Sequence, residues 1–465
     1  MSDRLARALD RASGARPIPG NALRHIPDSA AALDAMLGLI SGAGETVHFE
    51  NYIIRDDRTG RRFADALAER ARAGVRVRVL YDALGSVGTG RRFWRALRRA
   101  GVDVRAFRPL LTSGPFEVMS RDHRKLVVAD GAEAMLGGLC IGDEWAGDRE
   151  HGRLPWRDTM VRVCGPAVAA LDSSFARVWA RAGTRLPDDE FAPSPEPCGT
   201  SVVRVVDGEP GLSRAYRAVQ LLAAAVTERL WITDAYLVAP PPLYASLVDA
   251  AKSGVDVRLL LPGTSDIPIV RTFTRIGYRD LLRAGARIFE YRGPMLHAKT
   301  TVADREWARV GSTNLNVSSL LGNYELDIVA DCDSLSEALA KQFRHDQAQS
   351  REIVLLERRR LPARLVRVPP PAPGSPEPVA APPAHKRSRR ELRAAAVVAL
   401  VQVAGGARRM LAGAAASVLA LAGTLLILFP TIAGAVLAAA AFGTALGFAG
   451  YALARRRRRR QADGA

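Results

Sequence analysis

Residues 296–314 read LHAKTTVADREWARVGSTN, and their spacing repeats that of residues 122–140, DHRKLVVADGAEAMLGGLC. In both stretches a histidine is followed by lysine at +2, aspartate at +7 and glycine at +14. The positions are His123, Lys125, Asp130 and Gly137, then His297, Lys299, Asp304 and Gly311. Because the chain has seven histidines and only five lysines among its 66 basic residues, composition does not explain the repeat.

The residues after each histidine predict a strand that presents the histidine and lysine together. RKLVVAD and AKTTVAD are short, apolar and rich in β-branched residues. Side chains at i and i+2 of a strand share one face, so the imidazole and the ammonium project side by side. One imidazole can attack phosphorus, a second can protonate the leaving alkoxide, and two lysines can hold the nonbridging oxygens. One copy alone supplies half of this chemistry. A lone histidine on a strand is more often a packing or surface residue, but the intact duplication favours the catalytic interpretation.

Alternating helix and strand patterns precede both motifs and indicate a duplicated α/β domain. Strand-like TVHFENYII, VRVRVLYD and VDVRAF in the first half correspond to RLWITDAYL, VDVRLLLPG and ARIFEYR in the second. We therefore predict one domain over residues 20–185 and another over residues 201–358. Residues 186–200, which are rich in proline and acidic residues, are predicted to be the linker between them.

The motif HxKxxxxD followed by GG or GS resembles the signature of the phospholipase D superfamily, and the similarity runs over residues 21–353. Within it, GGLCIGDEW and WITDAYLVAPPPL are most similar to bacterial cardiolipin synthases. The resemblance implies two phospholipase D-like α/β sandwich domains related by a pseudo-dyad. It also implies that one motif from each domain meets the other at a shared site, and that a covalent phosphohistidine forms.

The resemblance further implies a carboxylate, later in each domain, that supports that domain's own histidine. Asp158 in PWRDT and Glu325 in NYELD match these positions, so Asp158 is expected beside His123 and Glu325 beside His297. Such a carboxylate would fix the imidazole tautomer and stabilise the imidazolium. The small residues after the motifs differ between the copies: Gly137, Gly138 and Cys140 in the first, Gly311, Ser312 and Asn314 in the second. Asn314 is the residue usual for the family, whereas Cys140 is expected to be a small packing residue.

Neither a metal site nor a cofactor is expected. The four cysteines show no CxxC pairing and no disulfide framework. Residues 1–19 contain no apolar run of signal-peptide length, so we expect the catalytic part to lie in the cytosol.

The end of the chain changes character and predicts a membrane anchor. Residues 359–393 form a Pro-rich and then basic linker, and residues 411–454 contain no charged residue. Phe429, Pro430 and Thr431 divide this run into two segments of about 20 residues each, the length that spans a bilayer. Arginines flank both ends, including Arg455–Arg460 in the tail 455–465, so both ends are predicted to be cytoplasmic. We therefore predict a C-terminal transmembrane helical hairpin in the inner membrane.

Together these features predict a membrane-anchored transphosphatidylase that acts on an anionic phospholipid. The resemblance suggests a cardiolipin synthase that joins two phosphatidylglycerols and releases glycerol, with His123 as the nucleophile and His297 as the acid. Residues after Arg360 carry twelve of the eighteen net positive charges, which leaves the catalytic part a poor candidate for nucleic acid. The alternatives are a hydrolase of the same family and a catalytically impaired membrane scaffold. The acceptor alcohol, the acyl preference and the oligomeric state stay open.

Overall fold

The computed structural model describes residues 3–109, 120–148, 152–358 and 361–368, which belong to one compact unit. The predicted hairpin 411–454, the tail 455–465 and residues 369–393 of the predicted linker lie outside the described residues. Within the part of the chain that is described, no helix has the length and apolar character needed to cross a membrane.

Eleven helices and sixteen strands form the described unit. The helices are Asp3–Ser13 (α1), Ser29–Gly42 (α2), Arg58–Arg72 (α3), Arg91–Arg99 (α4), Asp143–Ala146 (α5), Ala167–Arg181 (α6), Arg214–Ala225 (α7), Pro241–Lys252 (α8), Pro268–Ile276 (α9), Tyr278–Arg283 (α10) and Asp333–Ala348 (α11). The strands are Ile18–Ile26 (β1), Thr46–Asn51 (β2), Arg76–Asp82 (β3), Asp103–Phe107 (β4), Lys125–Ala129 (β5), Glu133–Gly137 (β6), Met160–Cys164 (β7), Ser201–Gly208 (β8), Arg229–Thr233 (β9), Asp256–Pro262 (β10), Arg287–Tyr291 (β11), Thr300–Ala303 (β12), Trp307–Gly311 (β13), Glu325–Asp331 (β14), Ser350–Arg358 (β15) and Leu361–Val368 (β16).

All strands belong to one sheet whose two halves repeat the same order. Outward from the antiparallel β1–β8 pair, the first half runs β1-β7-β6-β5-β2-β3-β4 and the second runs β8-β14-β13-β12-β9-β10-β11. In each half the three outermost of these strands are parallel and the rest antiparallel. The matched order confirms the predicted duplication of an α/β domain, with an approximate twofold axis at the β1–β8 junction.

The two halves are joined more closely than two separate domains. Pairing of Ile18 with Val203 and Asn21 with Ser201 makes the sheet continuous across the junction. Helix α6 of the first half packs against β8, and helix α11 of the second half packs against β1. One apolar core therefore holds side chains of both halves, among them Trp179. The sequence pattern does not predict β1, because Pro19 and Gly20 interrupt its alternation.

The structure adds detail at two predicted segments. The linker 186–200 is docked on the first half: buried Glu190 pairs with Arg78 and approaches His48 at 3.7 Å. The second domain does not end at residue 358, because β16 pairs with β15 and extends the sheet to Val368. Its alternating sequence LPARLVRV suits an edge strand, where a proline is tolerated.

Candidate active site

The two motifs meet at the junction of the halves, at the start of β5 and β12. The backbone N–H of His123 donates to the carbonyl oxygen of Tyr324 at 2.9 Å, and that of His297 donates to the carbonyl oxygen of Arg157 at 2.7 Å. Each motif histidine is therefore anchored to the opposite half of the chain. Both histidines and both motif lysines are buried, and they are coupled electrostatically across the junction.

The supporting carboxylates are crossed between the halves, which corrects the prediction that each histidine uses its own. Nδ1 of His123 lies 3.1 Å from Oε2 of Glu325, and Nδ1 of His297 lies 2.7 Å from Oδ2 of Asp158. The sequence spacing suggested pairing along the chain, but the backbone bridges bring residue 324 to residue 122 and residue 157 to residue 296. Each histidine–carboxylate pair therefore needs both halves in place.

The two carboxylates are held by different partners. Asp158 accepts hydrogen bonds from Nε1 of Trp145 at 3.2 Å and from the backbone N–H of Thr159 at 2.8 Å. Glu325 accepts from the hydroxyl of Ser312 at 2.5 Å and from the hydroxyl of Ser319. An indole and a backbone amide therefore donate to the carboxylate in one half-site, whereas two hydroxyls donate to the carboxylate in the other.

These surroundings give the carboxyl groups different acidities. Burial alone would raise the pKa of Asp158, but His297 and Lys299 beside it bring this pKa below its usual value. Burial raises the pKa of Glu325 to about 7, against the opposing effect of Lys125. At neutral pH Asp158 is therefore ionised, whereas Glu325 is close to half-protonated.

Burial and positive charge also act on the bases. Burial, followed by Lys125 and Lys299, holds the pKa of His123 well below its usual value. Burial and Lys299 lower the pKa of His297 to about 4, although Asp158 opposes this shift. Burial lowers the pKa of Lys299 to about 8. An anionic phosphate would be drawn to such a site, because its charge offsets the repulsion among these cations.

Each lysine is fixed by its own half. Nζ of Lys125 donates to the carbonyl oxygen of His123, and Nζ of Lys299 donates to that of His297. Two tyrosines that the motifs do not include lie beside the two histidine–lysine pairs. The ring of Tyr52 lies 4.8 Å from that of His123, and the ring of Tyr236 lies 6.0 Å from that of His297. In the sequence, these tyrosines are recognisable only by their positions shortly after β2 and β9.

Asp130 and Asp304, which are predicted to be catalytic, lie at the far ends of the motif strands, away from the histidines. Five residues of strand separate Asp130 from Lys125, roughly 17 Å. Asp130 accepts hydrogen bonds from the backbone N–H groups of residues 44–46, and Asp304 accepts from those of residues 227–229. Both residues have positive φ, 54° and 51°, which aspartate tolerates better than most residues. Each one fixes the turn that starts the neighbouring strand.

The small residues after the motifs permit close packing around the carboxylates. A side chain at Gly138 would come within 2.2 Å of Oδ1 of Asp158, and one at Gly137 within 2.2 Å of the carbonyl oxygen of Thr159. Gly311 is equally restricted, since a side chain there would meet Asp327. Ser312, at the position of Gly138, instead binds Glu325 with its hydroxyl.

Asn314 and Cys140, which occupy matching positions, are both buried. Oδ1 of Asn314 has no hydrogen-bond partner among the described residues, so it can receive a donor from a ligand. Burial raises the pKa of the Cys140 thiol, which suits a packing residue. Within the described ranges, no three histidine, cysteine or acidic side chains are grouped to hold a metal ion.

The arrangement can perform a two-step displacement at phosphorus. It offers two imidazoles whose Nε2 atoms are left for substrate, because Nδ1 of each faces a carboxylate. It also offers two ammonium groups for the charge that develops on a phosphoryl group.

Comparisons with known proteins agree with this chemistry. Residues 36–151 and 219–347 match the family described as "Cardiolipin synthase, PLD-like domain". Cardiolipin synthase A of Pseudomonas fluorescens Pf-5 is 34% identical over 360 residues, which cover 76% of this chain and 74% of that protein. Cardiolipin synthase A of Pseudomonas aeruginosa LESB58 is 35% identical over 358 residues, which cover 76% and 72%.

A solved structure shares the fold. The phosphatidylserine synthase of Haemophilus influenzae Rd KW20 superposes with a TM-score of 0.59 at 13% identity, over 75% of this chain and 92% of that one. The duplicated motifs, the twofold sheet and the sequence similarity lead to one assignment: the chain belongs to the cardiolipin synthase family of phospholipase D-like phosphatidyltransferases.

Proposed function

We propose that this enzyme makes cardiolipin from two phosphatidylglycerols through a covalent phosphohistidine and releases glycerol. The observation that carries the proposal is the pair of buried histidines, each with its Nδ1 on a carboxylate from the opposite half, beside two buried lysines. The names of the curated relatives support the choice of product.

In the first step, Nε2 of His123 attacks the phosphorus of phosphatidylglycerol. The bond from phosphorus to the glycerol oxygen breaks, and this oxygen takes a proton from Nε2 of His297. Lys125 and Lys299 stabilise the charge on the nonbridging oxygens. In the second step, a hydroxyl of another phosphatidylglycerol gives its proton to His297 and attacks the same phosphorus. The bond between His123 and phosphorus breaks, which restores the enzyme.

The electrostatic asymmetry supports this division of roles. A nucleophile must be neutral, and the pKa of His123 is held well below its usual value by burial and two lysines. An acid must carry a proton at the start, and the ionised Asp158 beside His297 stabilises the protonated imidazole. A bound phosphate adds negative charge that raises the pKa of both rings. His297 reaches the protonated state first, because its carboxylate is the more fully charged.

We further propose that residues 411–454 anchor the enzyme in the inner membrane as a hairpin with both ends in the cytoplasm. The arginines at both flanks support this topology. Protease access to residues 455–465 tests it in vesicles of known orientation. Cleavage of this tail only from the cytoplasmic side is expected, and cleavage only from the outer side would refute the hairpin.

The reaction is tested with the purified full-length chain and phosphatidylglycerol. We expect one glycerol for each cardiolipin, and loss of both products in the His297→Asn variant, which serves as the control. Phosphatidic acid with glycerol and no cardiolipin would instead establish a hydrolase. Unchanged lipid with fully folded enzyme would reject the proposed function.

A further inference from the structure

Exposed large apolar side chains lie at one edge of the sheet, the edge that carries the histidines. Leu84 and Val87 follow the carboxyl end of β3, and Ile267, Phe273 and Ile276 follow that of β10. In the described part of the chain, the opposite edge, where the motif aspartates lie, carries none. The remaining exposed ones are in loops joined to β7, β8 and β13 at the same catalytic edge: Leu154, Leu212 and Val317.

Helix α9 is inverted relative to an ordinary surface helix, which buries its apolar stripe and exposes its charges. Arg275 points inward and makes two hydrogen bonds with Glu290, at 2.8 and 2.7 Å. Arg271 donates to the carbonyl oxygen of Gly263 at 2.7 Å. Phe273 and Ile276 face outward, with 49% and 69% of their surface exposed. Such a face is costly in water, so it indicates a partner that covers it.

The loops that carry this apolar surface contact the tyrosines whose rings lie beside the two motif histidines. The hydroxyl of Tyr236, whose ring lies beside His297, donates to Asp266 at 2.7 Å, next to the start of α9. In the first half, the hydroxyl of Ser86 donates to the carbonyl oxygen of Tyr52 at 3.2 Å, in the loop that carries Leu84 and Val87. Each half therefore brings part of the apolar surface close to its own motif histidine.

We propose that Leu84, Val87, Ile267, Phe273 and Ile276, here called the apolar rim, insert into the acyl-chain layer of an anionic membrane around the entrance to the active site. A substrate headgroup then reaches the buried lysines while its acyl chains stay in lipid. This inference rests on the proposed function and adds to it the surface that meets the bilayer.

The charges next to the apolar rim fit an anionic lipid surface. Arg91 and Arg92 are exposed just after the loop of the first half, and Arg279 is exposed just after α9. An apolar face with arginines at its border is typical of protein segments that lie in the interface of an anionic bilayer. A second protein copy would gain little from these flanking cations, because they would face the same cations across a twofold interface.

The test compares Phe273→Ser/Ile276→Ser with the matched control Phe273→Leu/Ile276→Leu, which keeps the surface apolar. The full-length chain is reconstituted in phosphatidylcholine vesicles. Its rate is measured with long-chain phosphatidylglycerol in the same vesicles and with short-chain phosphatidylglycerol added as dissolved monomers. The serine variant should lower the ratio of the vesicle rate to the monomer rate by about tenfold or more, since two large apolar side chains no longer insert. The leucine control should stay within about twofold of wild type. An unchanged ratio in the serine variant would overturn the proposal.

A second readout separates this inference from the proposed function. In Phe273→Trp, lipids brominated on their acyl chains should quench more tryptophan emission than in wild type, whether or not the enzyme makes cardiolipin. If the wild-type enzyme is inactive on both substrates, the proposed reaction is rejected. The extra quenching would still support insertion of the apolar rim. Absence of the extra quenching would reject the apolar rim. If the serine variant differs from wild type only in its molar mass by light scattering, the surface contacts a second copy of the chain. That outcome would also overturn the proposal.

Discussion

The crossed carboxylates predict which pairs of substitutions behave alike. Asp158→Asn should share its kinetic defect with His297→Ala, because Asp158 lies 2.7 Å from His297. Glu325→Gln should share its defect with His123→Ala, because Glu325 lies 3.1 Å from His123. Pairing along the chain would reverse both matches.

The size of the effect follows from the hydrogen bonds that are lost. A hydrogen bond to a charged group contributes roughly 1.5–3 kcal/mol, which is about 10- to 150-fold in rate. Asp158 should be near the upper limit, because its pKa is lowered and its carboxylate is fully charged. Glu325, with its pKa raised to about 7 by burial, should be nearer the lower limit at neutral pH.

The assay measures the rate of leaving-group release in the first turnover of each variant, with phosphatidylglycerol and with a phosphatidyl-p-nitrophenol. An activated leaving group needs no proton, so Asp158→Asn and His297→Ala should lose much less of this first-turnover rate with the nitrophenyl substrate. Glu325→Gln and His123→Ala should lose similar activity with both substrates. The crossed assignment is refuted if Asp158→Asn follows His123→Ala across the two leaving groups.

Three further outcomes follow from the described contacts. Asp130→Ala and Asp304→Ala should each lower the free energy of unfolding by about 2 kcal/mol in denaturant titrations, since several backbone N–H groups lose an acceptor. Their kcat should stay near that of wild type. A large fall in kcat in a fully folded variant would show that these aspartates are catalytic. Burial raises the pKa of Glu325 from its ordinary value of 4.5 to about 7 in the folded chain. Between pH 4.5 and pH 7 the folded chain therefore binds more protons than the unfolded chain, so this group lowers the free energy of unfolding as the pH rises. Glu325→Gln should therefore raise Tm relative to wild type more at pH 8 than at pH 5, and an equal difference at both pH values would contradict the buried-acid assignment. Activity should survive a strong chelator, because the lysines and histidines supply the positive charge. A loss of activity on uncharged vesicles that only a divalent ion restores would contradict a metal-independent mechanism.

The sequence predicted those parts of the fold that depend on local patterns. The motif strands, the parallel strands beside them and the repeat itself follow from apolar periodicity and from intact spacing around His123 and His297. The strand β1 was missed because a proline and a glycine interrupt its pattern. The strand β16 was assigned to a linker because proline-rich sequence follows it directly.

The sequence and the family resemblance select candidate site residues but not the pairing between them. The repeated motif selects His123 and His297, and the family resemblance selects the two acids. Which acid meets which base depends on bridges between residues far apart in the chain. No local pattern carries that information. The sequence also does not decide the role of Asp130, because its fixed spacing from a motif histidine is equally explained by a turn that must close in one way.

Trapping the covalent intermediate tests the proposed mechanism directly. His297→Ala, mixed with phosphatidyl-p-nitrophenol and quenched with base within milliseconds, should carry a phosphatidyl adduct on the peptide that contains His123, as detected by mass spectrometry. The adduct should accumulate, because the variant lacks the base that activates the second alcohol. An adduct on His297 in His123→Ala, together with none on His123 in His297→Ala, would contradict the mechanism. The absence of an adduct from both variants and from rapidly quenched wild type would also contradict it.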